Sequence, residues 1–503
     1  MALIPRTARL IVAGAILVAP VVLSAQVTEA EYAARRAALT TRMGDGVYLA
    51  LGAREPGLNH EAFFQAYNFR YLTGFLEPGA ALVVVRKNGK DTPLLFVPPK
   101  DPAQEVWTGE RLGVDAVRTK TGMEGRDVRS LRAVLDSVLT DASRLMVVAD
   151  LSRPAPTAGA DVPVNAAPRT VDDQFVDRIK ERFKSLNVVD ASRDMLSLRG
   201  RKSPAEVALI RMAAKISSAG HKEVLRAIEP GVNEFEIQAL AEYTFRRNGG
   251  DRPGYPSIVG SGPNSTTLHY NRDDRYMQAG EVVNMDMSTF YGGYSADITR
   301  TVPVSGTFST EQRAIYEIVL GAQKAAERQI KIGARFNQLS DSANAVLREG
   351  LAGVGLIEAP NATYEAAPGR KIPQLSLFYM HGLGHPIGLD VHDADAYTTP
   401  SGMIEGSAFS IEPGIYVRAN TMDLVPDTPA NAAYRAKLAL ALKKYSNIGV
   451  RIEDDYVVNA SGFERVSADA PREIADIERE MAKPATVSAR DAAMVEAYRK
   501  IRP

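Results

Sequence analysis

Four carboxylic acids lie in otherwise apolar, strand-like segments of this chain, and they restrict its fold more than any other feature. They are Asp286, Asp297, Glu412 and Glu453. An ionised acid is costly to bury among apolar side chains unless it is paired with a cation or bound to a metal. Any one of these acids alone is better explained by a salt bridge or a strand end. Four of them, together with a histidine between glycines, favour a shared metal site.

The histidines are few and clustered. The chain has six, and four lie within one window, at His269, His381, His385 and His392. The glycines of segment 381–393 allow close backbone approach and make a long helix there unfavourable. The segment is therefore not the helical zinc motif in which two histidines flank a glutamate.

One imidazole and four carboxylates form an oxygen-rich ligand set that suits two divalent ions, with two acids bridging them. Such ligands favour Mn²⁺, with Co²⁺ or Zn²⁺ as substitutes. Two ions about 3.5–4 Å apart share a water whose pKa falls toward ~7, which provides a hydroxide nucleophile at neutral pH. The ligand set therefore predicts metal-assisted hydrolysis.

The N-terminal part has the pattern of an α/β domain. Its length of 503 residues suggests that the chain has two or more domains. Segments Val47–Leu51, Ala81–Val85 and Leu94–Val97 have the branched, apolar composition of buried strands, and 125–142 and 172–185 are helix-like. Alternating strands and helices predict an α/β fold.

The pattern changes further along the chain. Segment 153–171 contains four prolines among small residues and is predicted to be a loop. Helices are predicted from Pro204, preceded by a capping-box spacing, and over Glu234–Arg247. The chain after Gly250 is expected to be rich in strands. The only tryptophan, Trp107, is expected in the core.

Charge and cysteine content exclude several classes of function. The 60 basic and 60 acidic side chains cancel, and no long Lys/Arg run is present, so no nucleic-acid partner is expected. There is no cysteine, which excludes disulfides, thiolate catalysis and thiolate metal sites.

The N-terminus has the layout of a secretory signal peptide. Arg6 and Arg9 precede the apolar run Leu10–Leu23, and small residues follow at Ser24 and Ala25. The alternative is a membrane anchor, but the run is short for a span of about 20 residues and Pro20 interrupts it. We expect residues 1–25 to be cleaved and the product to be secreted or periplasmic, with no stable membrane anchor.

Together the motifs resemble those of aminopeptidase P (Xaa-Pro aminopeptidase), in the metallopeptidase family that also contains prolidase and methionine aminopeptidase. The matching catalytic segments, in order, are 285–287, 295–300, 381–393, 411–416 and 451–454. Upstream, 68–75 and 105–111 look like the N-terminal domain of the same enzymes.

The resemblance implies a fold of the α/β (α+β) class and a domain plan. A creatinase/aminopeptidase P-like α/β domain over 26–190 is followed by a pita-bread catalytic domain over 191–466 and a helical tail over 467–503. Within the catalytic domain, 420–447 is predicted to be an insertion with a helix around Tyr434–Lys444. Many family members are homo-oligomers, so a dimer or tetramer is expected.

The resemblance also implies the metal ligands. They would be Asp286, Asp297, His385, Glu412 and Glu453, with Asp297 and Glu453 bridging the two ions. Glu412 would take the proton from the bridging water.

Further residues are implied to act on the substrate. His381 and His392 would flank it, polarise its carbonyl and steady the tetrahedral intermediate. His269 matches a position near the scissile bond, Arg451 an arginine beside the site, and Tyr416 a residue that lines the pocket.

The implied activity is hydrolysis of the Xaa-Pro bond at the N-terminus of proline-containing peptides. One departure from the family bears on the substrate: no Lys or Arg lies between His392 and Glu412, where prolidases and many aminopeptidases P carry an arginine. A dipeptidase needs a cation for the free carboxylate next to the scissile bond. The alternatives are a prolidase, another hydrolase on the same scaffold, and a non-catalytic binding module. The last predicts broken ligand positions, whereas all five are intact.

Overall fold

The computed structural model describes residues 26–57, 62–151, 170–394, 402–486, 493–494 and 496–497. The predicted signal peptide, and the proline-rich segment up to residue 169, lie outside the described residues. Within the described residues, no helix has both the length and the apolar character needed to cross a bilayer.

The N-terminal unit is built on a mixed six-stranded sheet. Its strands are β1 (Gly46–Leu51), β2 (Ala81–Lys87), β3 (Lys90–Val97), β4 (Glu124–Asp127), β5 (Arg144–Val148) and β6 (Asn187–Asp190), in the spatial order β4-β3-β2-β1-β5-β6. Strands β1, β2 and β3 pair antiparallel, and the β3/β4, β1/β5 and β5/β6 pairs are parallel. The three predicted strands are confirmed as β1, β2 and β3.

Helices cover both faces of this sheet. They are α1 (Glu29–Met43), α2 (Tyr67–Thr73), α3 (Pro102–Thr108), α4 (Gly113–Thr121), α5 (Leu131–Thr140), α6 (Val171–Arg182) and α7 (Ser192–Arg199). The helix expected over 172–185 is confirmed as α6. The helix expected over 125–142 is shorter, because β4 occupies its start. The core position expected for Trp107 is wrong, since its side chain on α3 is 70% exposed.

The second unit contains six α-helices within the described residues. They are α8 (Pro204–Ala227), α9 (Glu234–Arg247), α10 (Thr310–Glu327), α11 (Phe336–Gly353), α12 (Ala432–Tyr445) and α13 (Ile474–Met481). The predicted start of α8 is confirmed: the Ser203 hydroxyl accepts from the Glu206 N–H, and the Glu206 carboxylate accepts from the Ser203 N–H. The predicted extent of α9 is confirmed, and α12 confirms the helix expected in the insertion.

As expected, most strands of the described residues follow Gly250, but helices α10 and α11 among them were not predicted. Each has 18 residues. The start of α10 carries a capping box between Ser309 and Gln312, and its buried face includes Ile315 and Val319 at helical spacing. This periodic signal was present in the sequence but lies between the motif-bearing strands.

Short antiparallel strands carry the rest of this unit. They are β7 (Arg252–Pro253), β8 (Ile258–Ser261), β9 (Val282–Asp286), β10 (Thr289–Tyr291), β11 (Tyr294–Ser295), β12 (Thr299–Pro303), β13 (Thr363–Ala367), β14 (Arg370–Pro373), β15 (Ala408–Ile411), β16 (Gly414–Val417), β17 (Ile448–Arg451), β18 (Asp454–Asn459) and β19 (Gly462–Arg465). They form the sheets β11-β10-β7, β12-β9-β8, β15-β18-β19, β13-β14 and β16-β17.

A common apolar core joins the two units. It brings Leu82 of β2 together with Leu209 of α8 and with Ile387 and Val457 of the second unit, all of which are buried. Contiguous burial of this kind resembles one domain core more than a wet interdomain contact. The N-terminal sheet is therefore held in a fixed position relative to the segment that follows His381.

Candidate active site

The four acids of the sequence motifs lie where strands end. Asp286 is the last residue of β9, and Glu412 directly follows β15. Asp297 lies between β11 and β12, and Glu453 lies between β17 and β18. The expectation of acids inside strands is therefore correct only for Asp286. Strand ends leave the acids free to face one shared cavity.

That cavity has a volume of about 540 Å³ and contains nearly all of the predicted site residues. Its walls include His269, Asp286, Asp297, His381, His385, His392, Glu412, Arg451 and Glu453. Tyr416 is fully buried behind the wall, which differs from its predicted lining position. Its hydroxyl lies 2.9 Å from His381 Nε2 and accepts from Arg451 Nη1 at 3.2 Å, so it contacts the cavity through these two residues.

The imidazole of His385 faces three of the acids. Its Nε2 atom lies 3.3 Å from Asp297 Oδ2, 3.6 Å from Glu412 Oε1 and 3.9 Å from Glu453 Oε1. Donor atoms of Asp297, His385 and Glu453 all lie within 4.8 Å of one another. Imidazole and carboxylate donors at this spacing fit a divalent ion.

Asp286 lies on the other side of the cluster and has protein partners. Its Oδ2 atom is 2.6 Å from Arg451 Nη2. The hydroxyl of Tyr255 donates to Asp286 and lies 2.5 Å from Asp297 Oδ1. Tyr255 was not predictable as a site residue from the sequence, because a tyrosine between a glycine and a proline carries no motif of its own.

The buried acids raise one another's pKa. Burial, followed by Asp297, Glu412 and Asp286, raises the pKa of Glu453 well above its ordinary value. Burial raises the pKa of Glu412 to about 7. Within the described part of the chain, Glu453 Oε1 has no hydrogen-bond partner although it is buried. Such a carboxylate needs a cation to remain ionised, so the residues present fit a metal centre.

The histidines differ in their protonation. Burial lowers the pKa of His385, but its hydrogen bond to Asp297 and the nearby acids outweigh this and raise it to about 9. Burial, with Arg451 beside it, lowers the pKa of His381 to about 4. Burial, with His385 beside it, also lowers the pKa of His392. His381 and His392 are thus neutral at pH 7. Each ring can donate one hydrogen bond and accept another.

The remaining wall of the cavity is largely apolar. Pro256, Ile258, Leu268 and Val391 line it beside the acids. Apolar walls with a few convergent polar groups are typical of sites that bind small organic substrates. The arrangement suits hydrolysis of a bond whose neighbouring group is apolar.

A buried ion-pair network anchors the histidine segment. The Asp393 carboxylate accepts from Arg199 and lies 3.2 Å from Lys202 Nζ. Arg199 also donates to Asn68 Oδ1 of α2 at 2.8 Å. The network thereby fixes the residue next to His392 against the N-terminal unit. This role of Arg199 and Lys202 was not predictable from the sequence, because it depends on contacts that only the tertiary structure creates.

Comparison with known proteins identifies relatives along almost the whole chain. Residues 208–460 match the model of metallopeptidase family M24, and residues 32–148 match that of the aminopeptidase P N-terminal domain. A Xaa-Pro aminopeptidase of Haemophilus influenzae is 33% identical over 423 residues, which covers 83% of this chain and 88% of that protein.

Solved structures agree with these matches. Proline aminopeptidase P II from Yersinia pestis matches this chain with a TM-score of 0.74 at 28% identity. The match covers 91% of this chain and 100% of the Yersinia pestis chain. A zinc-substituted Escherichia coli aminopeptidase P in complex with product has a TM-score of 0.74 at 27% identity and covers 91% and 98% of the two chains.

Proposed function

This chain belongs to metallopeptidase family M24 and carries an aminopeptidase P N-terminal domain, and we propose that it is a Xaa-Pro aminopeptidase. It is a metal-dependent hydrolase in which an N-terminal α/β domain precedes a pita-bread catalytic domain. It removes the first residue from peptides whose second residue is proline. The single observation that carries this function is the convergence of Asp286, Asp297, His385, Glu412 and Glu453 on one cavity.

These five residues would hold two divalent ions, with Asp297 and Glu453 between them. Bound there, the ions would lower the pKa of a coordinated water and polarise the scissile carbonyl. The oxygen-rich donors favour Mn²⁺, with Co²⁺ or Zn²⁺ as substitutes. Metal analysis of the purified protein, followed by reloading of the stripped protein with each ion, tests this choice.

Glu412 is suited to accept the proton of the attacking water. It lines the cavity beside His385 and Asp297, and in the metal-free protein burial raises its pKa to about 7. His392 and His269 also line the cavity, where they would donate to the carbonyl oxygen as negative charge develops on it. His381 is held by the Tyr416 hydroxyl, which orients its ring towards the substrate.

The cavity supports activity on peptides longer than two residues. Among the described residues that line it, Arg451 is the only permanently charged cation, and its guanidinium is paired with Asp286. The sequence supplies no Lys or Arg between His392 and Glu412. The free carboxylate of an Xaa-Pro dipeptide therefore lacks a counter-charge beside the scissile bond.

The decisive experiment measures hydrolysis of Arg-Pro-Pro, Gly-Pro and Arg-Ala-Ala by the metal-stripped, Mn²⁺-reloaded protein. Release of arginine from Arg-Pro-Pro, with Arg-Ala-Ala intact, is the expected result. Cleavage of Gly-Pro alone would identify a prolidase instead. No cleavage with Mn²⁺, Co²⁺ or Zn²⁺ would support a binding module. A Glu412→Gln variant, tested in parallel, controls for contaminating peptidases.

We also propose secretion to the periplasm or medium and assembly into a homodimer or homotetramer. The signal-like residues 1–25 support the first proposal, and the family resemblance supports the second. N-terminal sequencing after cell fractionation tests secretion, and a mature N-terminus near residue 26 is expected. Light scattering during gel filtration tests the oligomeric state.

A further inference from the structure

We propose that His221 is a positioning residue that holds Asp286 and Asp297 in register for binding two cations. His221 lies on α8, behind the strands that carry these acids, and its side chain is completely buried. It is not among the residues that line the cavity. The inference rests on the proposed metal centre.

One nitrogen of His221 joins the two acid-bearing segments. Its Nε2 atom lies 3.0 Å from the carbonyl oxygen of Met287 and 3.1 Å from that of Ile298. These residues directly follow Asp286 and Asp297. Because carbonyl oxygens only accept hydrogen bonds, Nε2 carries the proton and donates to both. A single N–H thus links the backbone beside one acid to the backbone beside the other.

The link lies where the regular strand pairing stops. In the β9/β12 ladder, Asp286 is the last residue of β9 and pairs with Thr299, the first residue of β12. Asp297 is therefore just outside the ladder. The Met287 N–H still donates to the Ile298 carbonyl at 3.1 Å, and His221 adds a second donor to that oxygen. His221 therefore adds a side-chain restraint to the backbone at the point where the regular ladder ends and one backbone hydrogen bond remains.

Packing alone does not account for a histidine at this position. Its Nδ1 atom is buried and has no hydrogen-bond partner in the described part of the chain. An unpaired buried polar atom opposes folding, and an apolar side chain of similar size would avoid that cost. Burial, with Arg300 nearby, lowers the pKa of His221 to about 4, so the ring stays neutral behind the acids.

The same helix provides a matched control. Ser217 lies one turn before His221 on α8, is equally buried, and its hydroxyl accepts from the Thr289 N–H at 3.0 Å. Thr289 belongs to β10 and is not adjacent to a metal ligand. Loss of Ser217 therefore removes a buried polar contact between helix and strand without touching the backbone beside Asp286 or Asp297.

Three substitutions separate the hydrogen bond from the packing. The amide nitrogen of His221→Gln reaches the place of Nε2, whereas that of His221→Asn reaches only the place of Nδ1. His221→Met fills the space without a donor. Changes to groups that hold metal ligands in place weaken metal binding by about 10- to 100-fold.

Full-length, metal-stripped protein is titrated with Co²⁺, and binding is monitored by calorimetry and by visible absorbance. Thermal unfolding is measured in parallel. His221→Gln is expected to keep the Co²⁺ dissociation constants within about threefold of the wild type, while the Asn and Met variants bind at least about tenfold more weakly. Ser217→Ala should lower thermal stability and leave Co²⁺ binding unchanged.

Wild-type Co²⁺ binding by a folded Asn or Met variant would overturn the inference and reduce His221 to a packing role. If neither variant folds, His221→Gln decides: wild-type affinity supports the inference, and a tenfold loss overturns it. The titration involves no peptide. A wild-type protein that binds two Co²⁺ ions but leaves Arg-Pro-Pro intact would therefore contradict the proposed function alone. Failure of the wild type to bind Co²⁺ would overturn both.

Discussion

Glu453 and Asp454 are neighbours in the chain, both are buried, and they belong to opposite electrostatic environments. Glu453 faces the cavity, where burial and three other acids raise its pKa well above the ordinary value. Asp454 faces away from the cavity. Burial raises its pKa too, but three arginines outweigh burial and lower it.

The surroundings of Asp454 explain this difference. Arg300 Nη2 lies 2.7 Å from its Oδ1, and Arg472 and Arg465 lie 3.3 and 3.4 Å from its Oδ2. The Ser467 hydroxyl donates to it at 2.6 Å. The protein thus supplies its own cations on one side of β18. On the other side Glu453 Oε1 has no hydrogen-bond partner among the described residues, which leaves it available to a metal ion.

The largest effect should come from the unpaired side. Glu453→Gln removes a proposed bridging ligand, so we expect kcat/KM on Arg-Pro-Pro to fall by more than about 100-fold, the upper end of the loss when only a group that supports a ligand is changed. The metal-stripped variant should be at least as stable as the metal-stripped wild type, because a buried unpaired acid is lost. Metal analysis and thermal unfolding measure both effects. Retained activity would contradict the ligand assignment.

On the paired side the same type of substitution should have the opposite consequence. Asp454→Asn leaves Arg300, itself fully buried, without its counter-charge, which costs about 3–5 kcal/mol of unfolding free energy. Urea unfolding of the metal-stripped proteins measures it. Arg465→Met, which leaves Asp454 with two arginines, serves as the milder variant if the Asn protein does not fold. A cost near zero for both would show that the arginines do not stabilise Asp454.

The contrast should also depend on pH. Burial raises the pKa of Glu412 from 4.5 to about 7 in the folded state. Between these two pH values the folded state therefore keeps a proton that the unfolded state has lost. Its contribution to stability is present below pH 4.5 and is lost as pH rises to about 7. Relative to metal-stripped Glu412→Gln, the metal-stripped wild type should lose about 3 kcal/mol between these two pH values. A pH-independent difference would contradict the raised pKa.

The smallest effect should come from an ion pair exposed at the surface. Arg211 Nη2 lies 2.7 Å from Glu464 Oε2, with side chains 45% and 39% exposed. Since water screens such pairs, Arg211→Ala should change the unfolding free energy by less than about 1 kcal/mol and leave metal binding unaltered. A larger loss would mean that burial does not explain why the ion pairs of Asp454 stabilise the protein more than this exposed pair does.

Much of the site was predictable because its ligands are polar residues in apolar surroundings. Glu453 and His385 are conspicuous in sequence, since acids and glycine-flanked histidines are rare among buried strands. Tyr255 and Arg199 were not predictable, because a tyrosine and an arginine are ordinary residues at surfaces and helix ends. Only their contacts with the acids and with Asp393 give them a role.

The fold was predictable to a similar extent. Helix α9 and strand β2 follow from local periodicity and capping, which depend on neighbouring residues. Helices α10 and α11 were overlooked among the motif-bearing strands. The exposure of Trp107 could not be read locally, because burial depends on what packs against a residue.

The sequence by itself determined the ligand types, their order along the chain and the local elements that carry them. These properties depend on side-chain chemistry and on residues a few positions apart. Only the tertiary structure decided that Asp454 is paired with arginines, whereas Glu453 Oε1 has no hydrogen-bond partner among the described residues. Asp454 meets Arg300 and Arg472 only through folding, and His221 meets the backbone beside Asp286 and Asp297 in the same way. Charge interactions act over a few ångströms, but some of the residues that make them lie more than a hundred positions apart in the chain. The sequence does not show which of these distant residues come close together in space.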